Sequence, residues 1–531
     1  MDREVLVATL SLILVITGAA TLIDSQPDVD GAAQEFDFNG IQYRTISDSE
    51  VEVSGATVAD VRPPNTIYVD GHQYVVGAVG EKAFASNTTI QSFMAPSGMS
   101  TIESEAFRDC PNLVSIDLNA VKELGYGAFS HCIRLTSVEM PASLTDLGID
   151  AFSYCINLTE FKMKSDATVG VGAFRGCNNL KDVTLPDMVE IPDFLFSGCE
   201  SLTGYSIPSG VTHIGNEAFK DCRVLEIDIP DGVVHIGSSA FEGCLGLTVA
   251  NLGDNLDVLD SRAFYGTGIT EVTIPDSLTG LGAYAFAYAE NLRTVTIHDE
   301  FRDYGKGAFQ GDKNLVSIGT TNLIASIPDE CFEGCVSLRE LPVTDRMTSI
   351  GDKAFRDCSS ITSINLGPNM RMVGNYAFDG CSSVTSISIS NPDLIMKSMT
   401  FNLGTPYKDV TCTAYVPVDG MLEDSHSTST TFVYVVSSEP SDESYTIRYE
   451  SNGGSGSVPN LVVDAGTTFT LSDGSSLSFD GHRLAGWSAL PTSSSPTYDL
   501  GQTLRDYTGG SMTLYAVWVA TSGPGTDPGI D

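Results

Sequence analysis

Between residues 77 and 411 one arrangement of apolar and polar positions returns every 22 or 23 residues. A unit opens on Leu135, Val138 and Met140, passes Leu144, Leu147 and Gly148, and closes on Ala151, Phe152 and Cys155 before Leu158 opens the next. The phenylalanines mark the register. Phe84, Phe107, Phe129, Phe152, Phe174, Phe196, Phe219, Phe241, Phe264, Phe286, Phe309, Phe332, Phe355, Phe378 and Phe401 make up fifteen of the chain's 24. A fixed period of this length marks a solenoid, in which each repeat buries its apolar face only against its neighbours. The alternation through Val138 and Met140 predicts a short strand, pairing in parallel with the next at about 4.8 Å. Gly148 permits a tight corner. Ala151-Phe152 predicts a short helical or 3₁₀ turn that aims the ring inward. Pro141, Pro186, Pro208, Pro230 and Pro275 follow the strands, where a missing N–H costs no ladder bond. The expected fold is an α+β repeat of about fifteen coils, with a parallel sheet on one face and short helical or 3₁₀ turns elsewhere.

The flanks carry other patterns. Residues 36–76 alternate with period two around Asn39-Gly40 and Asp70-Gly71, which reads as hairpins. They are placed to cap the first coil, whose apolar end would otherwise be exposed. Residues 412–436 are expected to close the other end, and 24–35 and 437–444 read as polar linkers. Residues 445–519 form a separate β-rich module holding both tryptophans, and 520–531 a disordered Gly/Pro/Asp-rich tail.

The phrase Leu-x-x-Ile-x-Ile-Pro-x-x-Val-x-x-Ile-Gly-x-x-Ala-Phe-x-x-Cys, nearly whole in Leu202 to Cys222 and Leu225 to Cys244, resembles the BspA-type leucine-rich repeat. Phe38-Asn39-Gly40-Ile41-Gln42-Tyr43 is similar to the cap that precedes such arrays. The resemblance implies a leucine-rich-repeat solenoid from a cell surface, acting in adhesion or partner recognition. Departures are local: Leu195, Cys331 and Thr400 replace the alanine, and Thr267, Ala289, Asp312 and Gly404 replace the cysteine. Asn452-Gly453-Gly454, Gly486-Trp487 and Tyr515-Ala516-Val517-Trp518 resemble the Listeria-Bacteroides repeat, implying a small β-grasp-like module of exported proteins.

Residues 5–23 are apolar and uncharged, so residues 1–23 read either as a cleaved signal peptide or as an N-terminal membrane anchor. Both place the chain outside the cell or on its surface, touching a membrane only through that segment if it stays uncleaved. With 28 basic against 68 acidic residues, a net charge of −40 argues against nucleic acid and anionic membrane surfaces as partners, since both would repel it.

Ten of twelve cysteines stand three residues after a ladder phenylalanine, one per coil. They read as buried thiols used as small apolar packers. Disulfides between neighbouring coils are the alternative, although runs of seven and three would strand one in each. His213 and His235 share one register and read as exposed histidines or a weak metal pair. No His-Glu-x-x-His, Gly-x-Ser-x-Gly, phosphate-loop or calcium-loop motif occurs, so the sequence identifies no catalytic residue, metal site or cofactor, and no enzyme. The candidate binding face is made of residues flanking the inward strand positions: Asp117, Glu139, Glu160, Asp182, Glu226, Asp228 and Glu271, with hydroxyl side chains taking over toward the C-terminal half. A long regular face of this kind suits a protein or polysaccharide partner. A cell-envelope component with no specific ligand is the second reading. Asn87-Thr88-Thr89 and Asn157-Leu158-Thr159 fit glycosylation sequons.

Overall fold

The computed structural model describes residues 21–22, 33–391, 394–397, 400–401, 408–414, 430–436, 444–464, 468–504 and 511–521. Most of the apolar N-terminal run, the polar linkers, the middle of the expected C-terminal cap and the tail lie outside these residues. No helix among the described residues is long and apolar enough to cross a membrane. Two compact units are present, the repeat array and the C-terminal module.

Most coils of the array contribute to two parallel ladders. The expected strand is found, as in Ser137–Glu139, Glu160–Lys162 and Asp182–Thr184, paired in register with Val138, Phe161 and Val183 side by side. A second ladder, not read from the sequence, is built from two-residue strands: Thr101–Ile102, Glu123–Leu124, Asp146–Leu147 and Thr168–Val169 pair in order, the last three each followed by a glycine. Leu124, Leu147 and Ile236 fill its inward positions and are buried.

The expected helical or 3₁₀ turns are not formed, and the described residues contain no helix, so the α+β class is corrected to an all-β solenoid. The physical reason lies in the corner around each phenylalanine. The residues two before and two after it have positive φ in every coil from Phe84 to Phe378, as at Glu105 (54°) and Asp109 (56°) around Phe107. A left-handed residue on either side prevents a right-handed turn from propagating. The amides then alternate in direction. Ala106 N and Arg108 N donate within the coil to Glu103 O and Glu105 O, while Phe107 N and Asp109 N donate to Ala128 O and Ser130 O of the next coil.

The rings stack as a continuous column inside the solenoid. Phe219, Phe241 and Phe264 are fully buried, with centroids 5.2 and 5.1 Å apart and planes within 10° of parallel. One core runs without interruption from Phe36 to Phe401. Beside it stand the cysteines, all buried and free among the described residues. Each ladder thiol donates to the carbonyl of the phenylalanine one coil earlier, as Cys244 Sγ does to Phe219 O at 3.0 Å and Cys358 Sγ to Phe332 O at 3.1 Å. Burial pushes the Cys155 and Cys244 thiols up to about 12, which removes the thiolate that metal binding or nucleophilic chemistry requires. The thiols therefore pack and donate.

Asp312 holds a cysteine position with neither property. It is fully buried, and both carboxylate oxygens lack a hydrogen-bond partner. Burial raises its pKa well above the ordinary carboxylate range. Asp312→Cys is expected to stabilise the array by about 1–3 kcal/mol, the cost of an unsatisfied buried polar group. The unfolded chain ionises this carboxyl at lower pH than the folded chain does. Its contribution therefore falls as pH rises from the ordinary carboxylate range through the raised folded value. Urea midpoints at pH 4.5 and pH 8 should show a larger gain from Asp312→Cys at pH 8; equal gains would refute the assignment.

The glycine after the second strand differs in role from the expectation. Gly148 has no positive φ. A Cβ there would lie 2.3 Å from Leu124 O and 2.6 Å from Gly125 O, so the glycine serves the close approach of successive coils rather than a corner.

The N-terminal strands cover both ladders. His72–Val79 pairs in parallel with Thr101–Ile102, and Asp60–Val61 with Ser92–Met94. Both expected hairpins form, with Asn39 (57°) and Gly40 (77°), then Asp70 (48°) and Gly71 (83°), in the left-handed region that a two-residue turn demands. Thr21–Leu22, the end of the apolar run, pairs antiparallel with Glu35–Phe38. After the array, Lys408–Ala414 and Thr430–Val436 extend the ladder of Ser363–Leu366 and Ser386–Ile389.

In the C-terminal module, Ser444–Glu450 lies between Leu461–Asp464 and Met512–Ala520, and His482–Ser488 pairs outside the latter. The central pair is parallel and the outer pairs antiparallel. Trp487 is fully buried and donates through Nε1 to Ser472 O at 2.7 Å. Trp518 Nε1 donates to Ser451 O at 2.8 Å. No helix accompanies this sheet among the described residues.

Candidate binding face

In each three-residue strand the middle side chain points into the core and its two neighbours face outward, so one face of the array displays two outward side chains per coil. Asp117, Glu139, Asp182, Glu226, Asp228 and Glu271 are exposed there, and Glu160 is half-buried. They are not one continuous acidic strip. Glu139 stands beside Lys162 in the ladder and 3.5 Å from Lys164 Nζ. Glu160 pairs with Lys162, whose pKa is raised chiefly by that hydrogen bond. Asp228 Oδ1 accepts from Asn251 Nδ2 at 2.5 Å, and Asp117 Oδ1 from the Asn119 amide at 3.2 Å. Among the described residues Asp117, Asp182, Glu226, Asp228 and Glu271 form no ion pair.

The face is interrupted where the ladder breaks. At Leu341-Pro342-Val343 no strand forms, because Pro342 has no amide to donate. Gly204 similarly sits where a strand would be. A different cause operates at Glu271. Cys244 to Leu247 is three residues, but Thr267 to Ile269 is only two. The shortened coil starts a new sheet, so Glu271–Thr273 does not pair with Val249–Asn251. Coil shortening at Cys222 to Val224 likewise precedes a new sheet at Glu226–Asp228. At the Glu271 coil the second ladder stops as well, after Val258–Leu259, leaving Gly280 with a single bridge to Asp303.

Two adjoining depressions open beside this double break, the first across it and the second over the coils that follow. One of about 270 Å³ is lined by Asn251, Asp254, Glu271, Thr273 and Thr296. The other, about 480 Å³, is lined by Thr270, Asn291, Arg293 and Asn314. Glu271 and Thr294 belong to both. The lining combines carboxylates, amides, hydroxyls and one guanidinium, suited to recognising a partner dense in hydroxyl or amide groups. Sequence reasoning selected Glu271 but missed Asp254, Asn291, Arg293 and Asn314. The signal available was the two-residue step from Thr267 to Ile269.

Other candidates resolve structurally. Asn157 Nδ2 donates to Ile133 O at 2.7 Å, and Asn87 Oδ1 accepts from the Thr89 and Ile90 amides. Both sequon asparagines thus serve turns and coil-to-coil bonds. Among the described residues no group of three or more His, Cys, Asp or Glu side chains is arranged to hold a metal ion.

An all-β solenoid with a phenylalanine column and a thiol ladder defines a leucine-rich-repeat protein. The chain belongs to the BspA-type leucine-rich repeat family, whose model matches residues 77–202, 189–316 and 305–416. Residues 445–517 match the Listeria-Bacteroides repeat domain. Among solved structures, a leucine-rich repeat protein from Bacteroides ovatus is similar at 26% identity and a TM-score of 0.60, covering 75% of this chain and 99% of its own. A leucine-rich cell surface protein from Faecalibacterium prausnitzii is similar at 23% identity and a TM-score of 0.45, covering 68% of this chain and 95% of its own. No curated protein matches the chain.

Proposed function

We propose that this chain is an exported cell-surface binding protein, without enzymatic activity, that takes a protein or polysaccharide partner on the strand face. The observation that carries the reading is the pair of depressions sharing Glu271 and Thr294 beside the coil boundary where, among the described residues, both ladders stop. Export is supported by the apolar run at residues 5–23. A net charge of −40 suits an extracellular surface that must stay soluble, and it steers the choice of partner away from polyanions. The acidic positions from Asp117 to Asp228 extend the same face toward the N-terminus.

The test is a pull-down and titration against cell-surface proteins and defined polysaccharides. Saturable binding is expected to survive deletion of residues 445–531. It should weaken about tenfold or more in Glu271→Ala/Arg293→Ala, as for two residues central to an interface. Binding that ignores both substitutions would move the site elsewhere. No binding together with self-assembly of the chain would favour the structural cell-envelope reading.

A further inference from the structure

We propose that His213 and His235 form a binding site for a divalent transition-metal ion. They occupy equivalent positions in the neighbouring strands His213–Ile214 and His235–Ile236, which pair in parallel with His213 directly beside His235. In-register parallel pairing sets both imidazoles on the same side of the ladder. Their ring centroids are 5.7 Å apart. Two imidazoles sharing one ion at the usual Zn–N length of about 2.0–2.1 Å have ring centres roughly 5–6 Å apart. The spacing is therefore present before any ion arrives.

The hydrogen bonds around the rings fix which nitrogens are free. Thr212 Oγ1 donates to Val189 O at 3.2 Å, so at 2.9 Å from His213 Nδ1 it accepts that nitrogen's proton. Glu190 Oε1, 4.0 Å from the same nitrogen, favours the same tautomer. The lone pair of His213 then sits on Nε2. At His235 the relation is reversed: Nε2 lies 2.9 Å from Asp260 Oδ2 and donates to it, leaving the lone pair on Nδ1. Among the described residues neither free nitrogen has a hydrogen-bond partner. A carboxylate behind a ligating imidazole fixes its tautomer and orients the ring, which makes Asp260 a positioning residue.

Both rings are half-exposed, so an ion can enter and complete its coordination with water. The preceding and following coils carry Glu190 and Val258 at this position, confining the imidazole pair to two coils. Two neutral imidazoles select the copper, nickel and zinc class over magnesium or calcium.

The test is calorimetric titration of the untagged full chain with CuCl₂, NiCl₂ and ZnCl₂. One ion per chain is expected, with Cu²⁺ bound most tightly. His213→Ala and His235→Ala should each abolish that isotherm, while His298→Ala leaves it unchanged. Asp260→Asn should weaken binding by about 10–100-fold while the metal-free melting temperature stays with the parent. Circular dichroism matching the parent excludes misfolding as the cause of any loss. No binding by the parent would overturn the proposal. So would binding retained by His213→Ala/His235→Ala, which would place the ion on surface carboxylates, or full competition by Mg²⁺ at equal concentration.

Discussion

Replacing Phe219 with alanine is expected to destabilise the array by about 3–5 kcal/mol. The ring is fully buried. It stacks on Phe241 at 5.2 Å and 3°, and leans on Phe196 at 5.5 Å. Its removal opens a void between two coils that have little freedom to collapse. Phe219 N is bonded to Ala240 O at 2.8 Å, and Phe219 O accepts from Cys244 Sγ at 3.0 Å. The backbone on either side is thus pinned, and a site that cannot relax sits at the costly end of the large-to-small range. The check is the urea midpoint of the full chain followed by far-ultraviolet dichroism. Parent-like unfolding would mean that the ring column contributes little to stability.

Gly148→Ala should cost roughly 1–3 kcal/mol, through overpacking rather than backbone conformation. The added methyl meets Leu124 O at 2.3 Å and Gly125 O at 2.6 Å. Both are main-chain atoms, Leu124 in the second ladder and Gly125 in the corner that follows it, so no side-chain rotation relieves the contact. Gly210 provides a matched control. It also lacks a positive φ, and the nearest atom to its Cβ position is Met188 O at 3.9 Å. Gly210→Ala should therefore leave the melting temperature within a degree or two of the parent, since surface substitutions away from special features cost little. Equal losses in the two variants would show that helix-like entropy or turn geometry, not coil-to-coil distance, sets the requirement.

What could be read from the chain was whatever repeats or is decided locally. The inward direction of Phe152 and Leu158 followed from recurrence, and the hairpins at Asn39-Gly40 and Asp70-Gly71 from turn chemistry that needs only two residues. The corner was misread because Ala151-Phe152-x-x-Cys155 has the spacing of one helical turn. What decides it is the bond from Phe152 N to Ala173 O in the next coil, a partner that no local window contains. The left-handed residues were equally obscured. Glu105, Phe194 and Arg262 have positive φ without glycine's permission, because the amides on both sides are committed to neighbouring coils. The candidate face divides in the same way. Alternation placed Glu271 outward, but the depressions beside it arise from a single missing residue in the coil before. The consequence of that deletion exists only when two strands fail to meet.

The double break has a mechanical meaning. Elsewhere among the described coils at least one ladder, or an isolated bridge, ties a coil to the next, but between Val249–Leu259 and Glu271–Gly280 neither ladder does. That boundary is held by the shared core and by corner bonds such as Phe264 N to Ala285 O at 2.8 Å and Gly282 N to Leu259 O at 2.9 Å. In a linear array, where cooperativity passes only between neighbours, such a seam divides the rod into two blocks. Under tension or partial denaturation the parting line should run there, so that a partner gripping both sides of the seam would act as a splint.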